Sequence, residues 1–296
     1  MGRSSGSSGS KIVLVTGATA GIGRETALHL ARLGHRVFAT GRKVDLLAEL
    51  EKEAGDLALE TLTLDVTDGD SIAKARESVR ERTDGYGVDM LVNNAGFGYV
   101  APMELITGED MRLQFATNVF GLVEVTQAFL PEMRARGAGK VVNLSSVAGR
   151  IPLPLQGIYC ATKHAVESLT DALRAEVRSF GVWVSLVEPG MIRTNFESTA
   201  TSTADKYNAL DEAYAPAVTA YGKVAGKAYK SAPGPACIAK TVARILRRRR
   251  PGARYVSPRF NILGVWIMNL TPTWLKDWVA RKVLKLTPAH MLPPGK

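Results

Sequence analysis

Several protein classes are excluded by what this chain lacks. Its 296 residues hold two cysteines, Cys160 and Cys237, too few and too far apart for a disulfide framework or a thiolate metal site. A reducing cytosol suits that usage. Cys160 has no partner base in the sequence, and it reads as a small packing residue. The four histidines, His29, His35, His164 and His290, show no metal-ligand spacing. His164 directly follows Lys163, so it points to a different helix face and reads as a bystander. No apolar run reaches the roughly 18 to 20 residues of a membrane-spanning helix. Residues Met1 to Ser10 are rich in Gly and Ser and have no apolar stretch, so they read as an expression-tag remnant without fixed structure rather than a signal peptide. There is no internal repeat and no Pro/Ser-rich linker to mark a second domain.

Acidic residues are scarce at one end. From Lys240 to Lys296 there are 13 Lys or Arg and one acid, Asp277, a net of +12. The preceding 239 residues carry 25 basic and 27 acidic side chains, a net of −2, so the tail supplies the whole excess of +10.

What is present is an apolar content of 46%, enough for a large core, arranged as alternating strand and helix signals. Strands are expected at Ile12–Val15, His35–Thr40, Leu59–Leu64, Val88–Val92, Lys140–Leu144 and Val182–Val187, with a short one at Tyr255–Val256. Helices are expected at Glu25–Leu33, Val44–Ala54, Asp70–Arg82, Met111–Met133, Tyr159–Phe180 and Ile238–Arg249. This rhythm implies right-handed crossovers and a parallel, doubly wound α/β sheet covered by helices on both faces. The stretch Met191–Pro235 breaks the rhythm just after a strand's carboxyl end. Ligands lie at that end in open α/β sheets, so about 191–235 is a candidate substrate lid.

Three places carry chemistry. In Thr16-Gly17-Ala18-Thr19-Ala20-Gly21-Ile22-Gly23, directly after the first strand, Gly17 permits a sharp turn and Gly21 a close approach to a pyrophosphate. Gly23 permits tight helix–strand packing, and the helix N-terminus offers free N–H groups to phosphates. At the end of the second strand stand Gly41, Arg42 and Lys43, where an acid would favour NAD. A guanidinium there holds a 2′-phosphate bidentately and favours NADP(H) over NAD(H); the alternative is a solvated loop arginine. Tyr159-x-x-x-Lys163 places a phenol and an ammonium on one helix face. A neighbouring ammonium, and an oxidised nicotinamide, are expected to lower the tyrosine pKa toward working pH and suit it to acid/base work. The alternative is an exposed face with a snorkelling lysine. Ser146, 13 residues upstream, is placed to bond the same substrate oxygen, with Ser145 as its competitor.

In this order, Thr16–Gly23, Asn93-Asn94-Ala95-Gly96, Asn118, Ser146, Tyr159 with Lys163, and Pro189-Gly190 with Thr194 resemble the classical short-chain dehydrogenase/reductase family over roughly residues 11 to 258. The resemblance implies a Rossmann-type catalytic domain over 11–258, with 259–296 as a C-terminal helical extension. It implies Tyr159 as acid/base and Ser146 as the carbonyl-orienting hydroxyl. Lys163 would bind the nicotinamide ribose, and Asn118 would hold a water in a proton relay. Cofactor contacts would come from Gly17, Thr19, Gly21, Ile22, Gly23, Arg42, Asp65, Val66, Asn93, Ala95, Gly96, Pro189, Gly190, Ile192 and Thr194. The family's other basic NADP position is Ala20 here, so the NADP expectation rests on Arg42. Within the family the chain looks most like the retinol dehydrogenase and 17β-hydroxysteroid dehydrogenase group. That implies a hydrophobic ketone, aldehyde or alcohol as substrate and a homo-oligomer, dimer or tetramer. Phe97, Tyr99, Leu153, Leu155, Met191 and Phe196 are candidate pocket walls, with ordinary core packing as the alternative for each.

After Ser257 come Phe260, Ile262, Leu263, Val265, Trp266, Ile267, Met268 and Leu270, then Trp274, Leu275, Trp278, Val279, Val283 and Leu286 among Lys276, Arg281, Lys282 and Lys285. Tryptophans with interleaved cations resemble an interfacial helix, which implies peripheral membrane contact on the cytoplasmic face. The alternative is a terminal helix packed on the domain or on a second subunit. No base-reading module accompanies the charge, so nucleic acid is not an expected partner. A non-catalytic dinucleotide sensor on this fold would be expected to lack the tyrosine or the lysine, and both stand here. A membrane-docked scaffold is the remaining alternative.

Overall fold

The computed structural model describes residues 9–194, 206–207, 212–259 and 261–291. Phe196 and Phe260 lie outside them, as do most of the leader and part of the candidate lid. Four apolar residues, Ile12–Val15, form β1, and the pleat sends alternate side chains to opposite faces. Val13 and Val15 join one core cluster and Leu14 another. The partners are β2 (Arg36–Gly41), β3 (Leu59–Thr63), β4 (Met90–Asn93), β5 (Gly139–Leu144), β6 (Val182–Pro189) and β7 (Arg254–Ser257). All pair in parallel, in the order β3-β2-β1-β4-β5-β6-β7. The order reverses between β1 and β4, and a crevice opens there at the strand carboxyl ends.

Helices α1 (Gly21–Arg32), α2 (Val44–Ala54), α3 (Gly69–Arg82), α4 (Gly108–Phe115), α5 (Gly121–Arg136) and α6 (Gly157–Val177) alternate with the strands. They are followed by α7 (Ala215–Ser231) and α8 (Ala236–Arg247). On one face of the sheet Leu28 and Leu30 of α1 meet Ile238, Val242 and Ile245 of α8. On the other, Ile72 and Val79 of α3, Val125, Phe129 and Met133 of α5 and Val177 of α6 enclose Leu14 and Phe38. Complete burial of a side chain the size of Phe38 contributes about 1.5–3 kcal/mol.

The expected single helix Met111–Met133 is instead α4, a π-helical turn at Ala116–Phe120, and α5. The wider turn rotates Asn118 inward. At Gly121, just beyond, a Cβ would lie 2.4 Å from the Val66 carbonyl oxygen, so only glycine lets α5 approach this closely. β6 runs on to Pro189, two residues past its expected end.

The tail folds into α9 (Asn261–Leu270), α10 (Thr273–Val283) and the short α11 (Pro288–Met291). Leu286 and Met291 pack on a small cluster formed by Val100, Leu155, Ala217 and Val218, so the tail reaches back over α7.

Candidate active site

The loop between β1 and α1 turns at Gly17, whose φ is +63° and whose Cβ, if present, would stand 2.8 Å from the Ala95 Cα. Asn94 clamps this loop. Its Nδ2 donates to the Thr16 and Gly17 carbonyl oxygens at 2.9 and 3.0 Å, and the backbone N–H groups of Asn94 and Ala95 both donate to Thr16 Oγ1 at 3.0 Å. At the start of α1 the N-cap is Ala20, which has no side-chain cap, and the first turn carries no acid. An uncapped helix start free of negative charge offers its N–H groups and dipole to an anion. The cradle therefore fits a dinucleotide pyrophosphate. Gly23 does not line the crevice; a Cβ there would strike the Gly17 carbonyl at 2.3 Å, so it serves helix–loop packing.

The crevice broadens into one cavity of about 1510 Å³. Gly17, Thr19, Gly21, Ile22, Arg42, Asp65, Val66, Ala95, Gly96, Pro189, Gly190, Ile192 and Thr194 all line it. Arg42 Nη1 stands 3.7 Å from an Asp65 carboxylate oxygen, and the Arg42 side chain is largely exposed. The hydrogen bonds from Thr67 and the Arg42 charge outweigh desolvation and hold the Asp65 carboxyl below its usual range.

Asn93 does not line this cavity, contrary to the expectation from sequence. It ends β4 with its side chain buried. Its Nδ2 donates to Thr126 Oγ1 at 2.8 Å and to Asn143 Oδ1 at 2.9 Å, and Asn143 in turn donates to Thr170 Oγ1. This polar ladder ties β4 and β5 to α5 and α6. The neighbouring Asn94 lines the cavity instead.

At the other end of the cavity Ser145, Ser146, Tyr159 and Lys163 come together. Ser146, at the end of β5, accepts from the Ala148 N–H at 3.1 Å and is hydrogen-bonded to Tyr159. The neighbouring Ser145 hydroxyl is buried without a hydrogen-bond partner among the described residues. Burial raises the Tyr159 pKa above the usual phenol value, although the Ser146 hydrogen bond pulls the other way. The expected lowering of the phenol pKa does not prevail, because burial is the largest influence on it. The Lys163 Nζ donates to the Leu144 carbonyl at 2.8 Å and stands 5.9 Å from the Tyr159 ring centre. Burial lowers Lys163 itself to about 8.

Asn118 is buried beside this group. Its Oδ1 accepts from the Phe97 N–H at 3.0 Å, while its Nδ2 donates to the Phe97 carbonyl at 2.8 Å and to Thr162 Oγ1 at 3.1 Å. The side-chain amide thus fixes the Phe97 segment and does not line the cavity. Gly96 lies between Asn118 and Lys163: a Cβ there would be 3.0 Å from Asn118 Oδ1 and 3.7 Å from Lys163 Nζ. His164 is exposed and bonds the Cys160 carbonyl oxygen, and Cys160 is a buried free thiol.

Around the Tyr159 end the walls are largely apolar. Phe97, Tyr99, Leu153 and Met191 belong to them, whereas Leu155 packs in the small cluster under the tail. Helix α7, through Tyr221, Val224 and Tyr229, lies within the candidate lid 191–235 and lines the cavity. The contributor that sequence reasoning missed is the tail, through Met268, Leu275, Val279 and Val283. Gln156 Nε2 bonds the Tyr221 hydroxyl at 2.5 Å. No periodicity in the sequence links residues 261–284 to a tyrosine at 159.

Residues 11–205 match the short chain dehydrogenase family. The chain belongs to the short-chain dehydrogenase/reductase family. It is similar to a 3-ketodihydrosphingosine reductase of Bacteroides thetaiotaomicron, 33% identical over 277 residues, 93% of this chain and 97% of the relative. It is also similar to human 17-beta-hydroxysteroid dehydrogenase type 1, 41% identical over 193 residues, 62% of this chain and 58% of that protein. Among solved structures it resembles a short-chain dehydrogenase/reductase from Burkholderia phymatum in complex with NAD. That match has a TM-score of 0.74 and 25% identity, and covers 87% of this chain and 92% of the other. A serine dehydrogenase complexed with NADP+ matches with a TM-score of 0.72 and 31% identity, over 83% and 93%. As a member of this family the protein is an NAD(P)-dependent dehydrogenase/reductase.

Proposed function

We propose that this short-chain dehydrogenase/reductase interconverts a hydrophobic ketone or aldehyde and its alcohol, with NADP(H) preferred over NAD(H). The observation that carries the reading is the pairing of Tyr159 with Ser146 at the apolar end of a cavity whose other end is an anion cradle. A bound nicotinamide supplies or accepts the hydride at the carbonyl carbon. The Ser146 hydroxyl orients the carbonyl oxygen, and Tyr159, kept protonated by burial, donates its proton to that oxygen as charge develops. In the reverse direction Tyr159 takes the alcohol proton. Lys163 sits beside the pair and brings a positive charge to the phenolate side of the cycle. The cradle residues Gly17, Thr19, Gly21 and Ile22 hold the pyrophosphate, Asp65 and Val66 the adenine end, and Ile192 and Thr194 the carboxamide. Arg42 takes the 2′-phosphate.

Two relatives are named for bulky apolar substrates, 3-ketodihydrosphingosine and 17β-hydroxysteroids, which supports the same class here. Two free thiols suit a reducing cytosol, and a homo-oligomer belongs to the same reading. Among the described residues no helix is long and apolar enough to cross a membrane; peripheral contact through the tail is the reading we adopt for it.

The test is turnover with NADPH and with NADH on ketones graded from small to steroid-sized. Tyr159→Phe is expected to lower kcat about 10²- to 10⁴-fold while leaving dinucleotide affinity intact. Tight dinucleotide binding without turnover of any ketone or alcohol would instead mark a sensing protein.

A further inference from the structure

The tail helices leave an unusual amount of apolar surface in water. Trp266 of α9 is 65% exposed, and Trp274 and Trp278 of α10 are 70% and 58% exposed. Leu263, Ile267 and Leu270 are exposed with them. A soluble surface seldom carries so many large apolar side chains on two consecutive helices unless something covers them. The charged residues on and beside α10 are Lys276, Arg281, Lys282 and Lys285, against the single acid Asp277. Tryptophan with cations, on helices of 10 and 11 residues, suits a position in the headgroup layer of an anionic bilayer.

The second observation joins this face to the active site. Val279 and Val283 of α10 line the cavity and are also about half exposed, and so are Val224 of α7, Met191 and Leu153. Side chains that touch both the cavity and the solvent form its rim. On the α7 and α10 side this rim is mainly apolar, with Thr273, Lys276 and Asp277 as its polar members. An amphiphile held in a bilayer meets a mainly apolar path from the lipid toward Tyr159, with Lys276 beside it to face an anionic headgroup.

We infer that α9 and α10 dock on an anionic phospholipid bilayer and that the cavity mouth opens onto that bilayer, so the substrate is a membrane-partitioned carbonyl or alcohol taken directly from lipid. The inference rests on the reductase reading above for the identity of the reacting group.

The test uses the full chain with vesicles of phosphatidylcholine, with and without phosphatidylglycerol, and needs no turnover for its first arm. Co-sedimentation is expected with the anionic vesicles and to weaken with salt. Lys282→Glu with Lys285→Glu is expected to lower vesicle affinity on the order of thirty-fold or more, and Trp274→Ala with Trp278→Ala to lower it comparably. None of these four residues lines the cavity, so a short water-soluble ketone is expected to be turned over at the wild-type rate by both variants. In the second arm a long-chain ketone is dissolved in the vesicles. Turnover that follows its mole fraction in the lipid, and that falls in the tryptophan variant, supports the inference. Vesicle binding with turnover that follows only the ketone in free solution overturns the lipid entrance. Absence of vesicle binding, with a dimer that the tryptophan variant dissociates, overturns the docking and assigns the face to a second copy of the chain. Failure to turn over any ketone in either form sinks the reductase reading and the lipid entrance with it, while vesicle binding stands or falls separately.

Discussion

The Lys163 Nζ donates to the Leu144 carbonyl at 2.8 Å, and burial is the largest influence on both Lys163 and Tyr159. Tyr159 stays protonated through the neutral range because its pKa is raised, so the group that titrates first is Lys163, at about 8. For ketone reduction kcat/KM is therefore expected to be flat below that pH and to fall above it as the ammonium loses its proton. Alcohol oxidation needs the phenolate, whose pKa burial raises, so it is expected to rise with pH as the phenolate population grows, with no plateau at the Lys163 titration. A pH–rate profile of wild type and Lys163→Met checks this, because a break that persists in the variant belongs to another group. Arg42 makes a second residue-scale prediction. Its ion pair with Asp65 is exposed and contributes no more than about 1 kcal/mol, so the guanidinium is released cheaply to a phosphate. Arg42→Ala is expected to raise KM for NADPH about ten- to hundred-fold and to leave KM for NADH nearly unchanged, as measured by initial rates. At this scale the structure brings Tyr159, Lys163 and Ser146 to one cavity, as their spacing implies, and their roles in turnover are what Tyr159→Phe and Lys163→Met measure. The sequence was read wrongly at Asn93. Adjacent asparagines at a strand end point in opposite directions, and the pleat decides which of them faces the cleft.

The elements that hold these residues have their own tolerances. The π-helical turn at Ala116–Phe120 delivers Asn118 to both the N–H and the carbonyl of Phe97, and the following Gly121 lets α5 rest on the Val66 carbonyl. Gly121→Ala is expected to destabilise the protein by about 1–3 kcal/mol, because its Cβ would meet backbone that has little room to give. Displacement of Val66 is expected to weaken dinucleotide binding as well; denaturant melts with and without cofactor measure the two effects. Strand and helix order were legible because apolar runs and Gly stops recur at regular intervals. The π turn was not, since a 3.6-residue periodicity reads through it as one continuous helix. The edge strand β7 adds ion pairs to its backbone pairing with β6. Arg254 of β7 pairs with the buried Glu167 and Glu188, a contact between segments about 70 to 90 residues apart that no local pattern announces.

At the scale of the molecule, the sheet supplies the cradle and the reacting groups, and the tail covers the substrate half of the cavity. Ending the chain at Pro258 is expected to leave a cooperatively melting sheet domain with turnover of small ketones. For ketones of steroid size kcat/KM is expected to fall roughly 10- to 100-fold, the equivalent of a few lost apolar contacts. Kinetics on the shortened chain, with circular dichroism to confirm the fold, decide it. The charge and tryptophans of the tail were visible in the sequence, but its return over α7 through Leu286 and Met291 was not, because that packing depends on a cluster brought together by the rest of the fold. The tail's role as roof also separates two things that many enzymes build from the same residues. In the proposed reading, hydride geometry and proton transfer depend on groups at the strand ends and on α6, while part of the substrate wall comes from a segment that follows the last strand. Substitutions in α9 and α10 can therefore accumulate and redirect the enzyme to new molecules with its chemistry intact, and tails exchanged between relatives should carry their substrate range with them.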